Sequence, residues 1–283
     1  MAFLRKFGRN RLAAAGLALV ALMAILAVSA PLVVPFDPAS QDILNRLQPP
    51  LQRSPDGLHV LGTDALGRDM LSRMIMGSRV SLLVGAAAVL VAITLGVPLG
   101  LIAGYEGGRV GRFLMGLADI QLAVPFLVLI LAVVAVLGPS LLNLIVVLGA
   151  AHWVQYARVV RAEALALRER EFVQAAQALG AHTLRILFKH ILPNVASSIV
   201  VISSLLVARM ILYEATLSYL GLGVPANIPT WGGMISDGRN YMGNAWWVAA
   251  MPGLAIFLTV VSINLVGDSL RDLLDPKLRH TER

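Results

Sequence analysis

Long stretches of this chain carry no charged residue, and a stretch of that kind has few ways to fold. Leu12 to Phe36, Val80 to Tyr105 and Ile120 to Ala157 are all free of Asp, Glu, Lys and Arg. A membrane-spanning helix needs about 20 mostly apolar residues, because the hydrocarbon is about 30 Å thick and a helix rises about 1.5 Å per residue. The first two stretches each supply one span. The third is too long for one helix, and Gly138-Pro139-Ser140 breaks it, so it reads as two spans joined by a tight turn, the first beginning near Phe113. A fifth span runs from about Val195 to Leu217 and a sixth from about Trp246 to Val266. The chain is 58% hydrophobic and 14% charged, against about 25% charged in a soluble domain. These features predict an all-α integral membrane protein with six transmembrane helices.

The first span has a basic approach (Arg5, Lys6, Arg9 and Arg11) and a Val28-Ser29-Ala30 sequence resembling a signal-peptidase site. Its charge-free run exceeds the 7–15 residues of a signal h-region, and Pro31 would follow the cut, so a retained helix is expected. Six spans put both termini on one side. With that side cytoplasmic, 16 Lys and Arg residues fall inside and six outside (Arg46, Arg53, Arg68, Arg73, Arg79 and Arg239), leaving Arg209 within a span. This satisfies the positive-inside rule, so the net charge of +7 reads as membrane orientation rather than nucleic-acid binding. The expected organisation is an N-terminus and first helix (1–36), an external segment with an amphipathic helix (37–79), a five-helix core (80–267) containing an internal loop (158–194), and a cytoplasmic tail (268–283).

Several chemistries lack their residues. Cysteine is absent, which removes disulfides, thiol nucleophiles and thiolate-ligated metals. Lys6, Lys189 and Lys277 are the only lysines, and none ends a phosphate-cradling glycine loop. The histidines (His59, His152, His182, His190 and His280) show no HExxH spacing, and no Gly-x-Ser-x-Gly elbow occurs. A transporter of this composition takes its energy from other subunits or from an ion gradient.

Four segments carry information beyond the spans. Arg158 to Asn194 alternates charged with small or apolar residues at helical spacing, breaks at Gly180, and resumes apolar character until Pro193 stops it. This predicts helix, turn and helix at the membrane surface, either a linker resting on headgroups or a docking element whose Ala175 and Ala176 leave a smooth face for another protein. Leu61 to Leu82 predicts an interfacial helix capped by Thr63 or Asp64, with Asp64–Arg68 and Asp69–Arg73 as i,i+4 pairs. Gly221 to Trp247, rich in Gly, Pro and Trp, reads as an external loop returning to the interface. Arg209 and Glu214 sit within a span, where ionisable residues are expensive; each either pairs with a neighbouring helix or lines an aqueous path.

The loop from Arg158 to Asn194 resembles the EAA loop of ATP-binding-cassette (ABC) importer permeases, through Gln174-Ala175-Ala176, Gly180, His190 and Leu192-Pro193. Gln174 stands where the family has glutamate and His190 where it has isoleucine. These departures leave helix, turn and stop intact but bear on any ion pair the glutamate would make. LGTDALGRDMLSRMIMGSRVSL (61–82), DIQLAVPFLVL from Asp119, TLSYLGLGVPANIPTWGGMI from Thr216 and NLVGDSLRDLLDPKLR from Asn264 resemble the second permease of dipeptide, oligopeptide, glutathione and nickel importers. The resemblance implies a type I ABC importer permease of the bacterial inner membrane, working by alternating access. It implies a homologous second permease, two ATPase subunits that bind ATP and Mg²⁺, and an external solute-binding protein, with no cofactor in this chain. Gln174, Ala175, Ala176, Gly180, Leu192 and Pro193 would then form the ATPase-coupling element. An ion-coupled secondary transporter and an intramembrane enzyme are the rival classes.

Overall fold

The computed structural model describes residues 11–55 and 57–274. The basic residues Arg5, Lys6 and Arg9 and the tail from 275 lie outside the described residues.

The described chain is mostly helical. Helix α1 (Arg11–Val33) leads into a small non-helical unit containing a 3₁₀ turn (Ile43–Asn45) and an antiparallel hairpin, β1 (Gln52–Ser54) and β2 (Gly57–His59), in which Gln52 faces His59. Helix α2 (Met70–Tyr105) follows, then α3 (Gly108–Ala123), α4 (Phe126–Leu137) and α5 (Leu141–Arg168). Short helices α6 (Glu171–Ala178) and α7 (Thr183–Ile186) and a π-helical turn (Leu187–Ile191) lead into α8 (Leu192–Tyr219). Helix α9 (Trp231–Gly238), a 3₁₀ turn (Arg239–Tyr241) and α10 (Trp247–Leu274) complete the described chain. Among the described residues, four helices are long and apolar enough to cross a membrane, or five if α3 and α4 form one broken span.

Glycine sets the tightest packing. Gly96, Gly100 and Gly104 form a ridge on α2, one residue per turn, that meets α5. A Cβ at Gly100 would stand 2.7 Å from the Ala157 carbonyl, and one at Gly104 would stand 2.7 Å from the Ala164 Cβ. Between membrane helices no hydrophobic driving force operates, so small residues that allow close approach and good dispersion contact take its place. Val84, Ala88, Leu101, Leu144, Leu148, Tyr156 and Val160 fill the seam, and α8 packs beside it through Leu206 and Met210. Helix α1 lies against α10, where Gly16 comes within 3.1 Å (measured from a built Cβ) of the Ser262 carbonyl.

Local chemistry moves several expected boundaries. Helix α2 starts at Met70, not at Thr63 or Asp64: Asp69 is its cap, accepting from the Ser72 amide, while residues 61–69 form a folded loop. Pro125 divides the expected third span, because it cannot donate to the helical ladder; α3 and α4 meet at 85°. The turn at Gly138–Ser140 is as expected, with Gly138 at φ +76° and Ser140 capping α5. Helix α5 continues to Arg168, so the first part of the 158–194 segment extends a long helix rather than lying separately at the surface. Pro193 does not stop a helix; it occupies the first turn of α8. Because Pro193 has no N–H for the Lys189 carbonyl, the preceding turn widens, and the Leu192 amide reaches back to Leu187.

Candidate functional site

Two poles of the helical bundle carry distinct polar chemistry. At one pole, α2, α5 and α6 meet around Tyr105. Arg168 donates to the Tyr105 carbonyl at 2.7 Å, and Gln177 Nε2 donates to its hydroxyl at 3.0 Å. Helix α6 ends in a Schellman cap: the Gly180 amide donates to Gln177 O and the Ala181 amide to Ala176 O. Gly180 holds φ +77°, the left-handed conformation the cap needs.

Helix α6 divides its residues sharply. Val173 and Ala176 are buried in the chain's own core, beside Ile186, Leu187 and Ile191. Phe172, Gln174, Ala175 and Leu179 face outward, Leu179 at 88% exposure. Ala175 and Ala176 therefore do not share one outer face. The small side chain at 176 lets α6 sit on α5 and α7, while Ala175 lies on the open side. Leu192 is half-buried and Pro193 exposed, both directly after the π segment, and His190 is half-buried within it. The structure thus brings Gln174, Ala175, Ala176 and Gly180 into one short helix and its cap, with Leu192 and Pro193 on the next element.

At the opposite pole, the loop before α2 is tied to α9. Asp64 is 2% exposed and pairs with Arg68 at 2.7 Å and with the buried Arg73. Both guanidiniums also reach Asp237 at 3.3 Å. The expected Asp64–Arg68 pair is present, but on a loop. The expected Asp69–Arg73 pair is absent: Asp69 caps α2 and bonds His59 Nδ1 at 2.9 Å, while Arg73 turns to Asp64 and Asp237. Trp231 donates to the Met74 carbonyl at 3.0 Å and Trp247 to the Thr63 carbonyl at 3.2 Å. The tryptophans at 231 and 247 thus pin this pole together internally, while Trp246 is the one that stays exposed. The sequence carried the pairing residues but not their separation of more than 160 positions, which only the fold closes.

Arg209 and Glu214 go different ways. Glu214 is fully buried; Ser81 donates to it at 2.9 Å and Ser218 at 2.8 Å. It opens onto no solvent and ties α8 to α2. Arg209 is exposed, in a groove between α5 and α8. The five-residue spacing, about 140° around a helix, is what separates them. Sequence reading missed a further polar layer beside this groove: Tyr156 and Ser203 share a hydrogen bond of 2.8 Å, and His152 stacks near Phe126 and Tyr213.

The chain belongs to the family described as binding-protein-dependent transport system inner membrane component, which matches residues 96–280. Residues 2–50 match the N-terminal TM domain of oligopeptide transport permease C. The chain is 42% identical to the di/tripeptide transport system permease protein DppC of Pseudomonas aeruginosa, over 98% of this chain and 92% of that one. It is 42% identical to the oligopeptide permease OppC of Bacillus subtilis (97% and 88% covered) and to the nickel permease NikC of Escherichia coli (93% and 93%). Its fold resembles a chain of the MetNI methionine ABC transporter, with TM-score 0.58 and 19% identity over 73% of this chain and 98% of that one. The family is one of permease subunits, not enzymes, and its ATP hydrolysis belongs to partner ATPases.

Proposed function

We propose that this chain is one of two homologous permeases in an importer for peptides or related small solutes, driven through α6 by two ATPase subunits that bind ATP and Mg²⁺. The observation that carries this reading is the short helix α6, docked by Val173 and Ala176 and pinned through Gln177 to Tyr105, with Phe172, Ala175 and Leu179 left open. A short helix docked on one face, with Phe172, Ala175 and Leu179 among the residues open on the other, is suited to transmit a push from a partner's groove. Gln174, Ala175, Ala176, Gly180, Leu192 and Pro193 belong to the coupling element: Ala175 as contact surface, Ala176 and Gly180 as its internal support, Leu192 and Pro193 as its link to α8.

Six spans follow if the α3–α4 pair and α5 each cross the membrane. At 28 residues, α5 is about 42 Å long, ample for the hydrocarbon. Side-chain ties support the alternation: Tyr105, Arg168 and Gln177 meet at one pole, and Arg73, Pro139, Ser218 and Asp237 line a cavity at the other. With α6 facing the cytoplasm, both termini are cytoplasmic in a bacterial inner membrane, and the Gly221 to Trp247 stretch lies on the external side, where it meets a solute-binding protein. Arg209 faces the solute pathway and Glu214 braces the wall behind it.

The test is uptake into proteoliposomes containing both permeases, the ATPases and the binding protein. ATP-dependent accumulation of labelled di- or tripeptides is expected. Uptake that persists without ATPases and follows an ion gradient would replace this reading with a secondary transporter.

A further inference from the structure

Arg209 is an exposed guanidinium ten residues, about 15 Å, inside the Tyr219 end of α8. Among the described residues no hydrogen bond or ion pair reaches it. Glu214, the acid nearest along the helix, is turned inward to Ser81 and Ser218. His152, the titratable group close by on α5, is buried and bonded to the Leu148 carbonyl at 2.8 Å. An arginine at the centre of a spanning helix costs about 2.5–3.5 kcal/mol even by insertion scales, so this face does not meet lipid.

The surroundings are those of a small binding site. Gln155, Val159, Ile202, Leu205, Leu206 and Arg209 enclose a groove of about 190 Å³ between α5 and α8. Its walls are aliphatic, and its two polar heads, the Arg209 guanidinium and the Gln155 amide, are both exposed and both without a partner among the described residues. Apolar walls with a few convergent polar groups are typical of sites for small ligands. A planar fork of N–H donors beside an amide donor matches one chemistry above others, a carboxylate.

We infer that the Arg209–Gln155 groove is a carboxylate site in the translocation pathway, which a solute's free carboxyl group occupies during passage. A single exposed pair of heads in a shallow groove holds its ligand briefly, as passage requires. The inference rests on the importer reading for its biological setting, but the site can be tested without transport.

The chain has no cysteine, so Ile202→Cys places one reporter in the groove of the full chain, studied together with the second permease in lipid nanodiscs. Its labelling by a charged thiosulfonate is followed with dialanine or dialanine amide present. Dialanine is expected to slow labelling and the amide to leave it unchanged. Arg209→Gln should raise the dialanine concentration for half-protection roughly tenfold or more, the worth of a charge-assisted hydrogen bond, and Arg209→Lys should raise it less. Equal protection by the amide, no protection by dialanine, or protection unaffected by Arg209→Gln overturns the inference. So does a reporter reached only by lipid-soluble reagents. If assembly with the second permease alone blocks the reporter, Arg209 is an intersubunit ion-pair partner and the inference also falls. Protection in a complex that imports no peptide would leave the site standing while the importer reading fails.

Discussion

The Ser81 hydroxyl on α2 donates to the Glu214 carboxylate on α8 at 2.9 Å, joining two spanning helices through a side chain with no solvent exposure. Ser218, one turn further along α8, donates to the other oxygen of the same carboxylate. The carboxyl serves as a shared acceptor inside the wall. This explains why an acid sits in a span without an adjacent cation: the Ser81 and Ser218 hydroxyls donate to it, and the Thr230 hydroxyl lies on the same carboxyl.

Glu214→Gln retains an acceptor for Ser81 and is expected to change stability by less than about 1 kcal/mol. Glu214→Ala leaves both hydroxyls without their acceptor and is expected to cost roughly 2–3 kcal/mol. Thermal unfolding of the detergent-solubilised variants should rank them in that order. Equal midpoints for the two variants would contradict the shared-acceptor role.

The polar lock at the opposite pole is expected to be lopsided. Asp64 is the buried acid between Arg68 and Arg73, so Asp64→Ala leaves the buried Arg73 guanidinium with only the more distant, half-exposed Asp237 and should cost about 3 kcal/mol. Asp237 is 48% exposed and meets the same arginines at 3.3 Å, so Asp237→Asn should cost about 1 kcal/mol or less. Parallel unfolding measurements on the two variants check the asymmetry, and comparable losses would refute it.

Gly180→Val puts a β-branched residue at φ +77°, although open space surrounds the site. The strain falls on the Schellman cap, not on core packing. A loss of about 1–2 kcal/mol is expected, confined to the end of α6. Hydrogen exchange should show faster exchange of the amides at positions 180 and 181 with the α2–α5 seam unchanged. Uptake by the assembled importer should fall sharply.

Much of this architecture was legible in the sequence because hydrocarbon imposes a simple rule on composition. The apolar runs became α1, α2, α8 and α10, and Gly138-Pro139-Ser140 became a turn. Pro125 and Pro193 were harder. A proline breaks a helix, sits in its first turn or widens the turn before it, depending on tertiary support that a single sequence does not display. The same limit applied to α6: helical spacing placed Ala175 and Ala176 together, but only packing on Ile186 and Ile191 decides which of them turns inward. Arg209 and Glu214 were legible as costly residues. Their separation into groove and core depended on which neighbours α2 and α5 presented.

The central claim is that α6 is the contact through which separate ATPase subunits drive this chain. Ala175→Cys and Leu44→Cys give single-cysteine chains with reporters at opposite poles, both exposed. Each is assembled with the ATPases and the second permease, then treated with a short bifunctional thiol reagent carrying a photoreactive arm. The account expects the position-175 reporter to crosslink to an ATPase subunit, with a yield that changes when ATP is added, and the position-44 reporter to give none. Crosslinks from position 44 to the ATPase, or none from position 175 in a complex that hydrolyses ATP and transports, would contradict it.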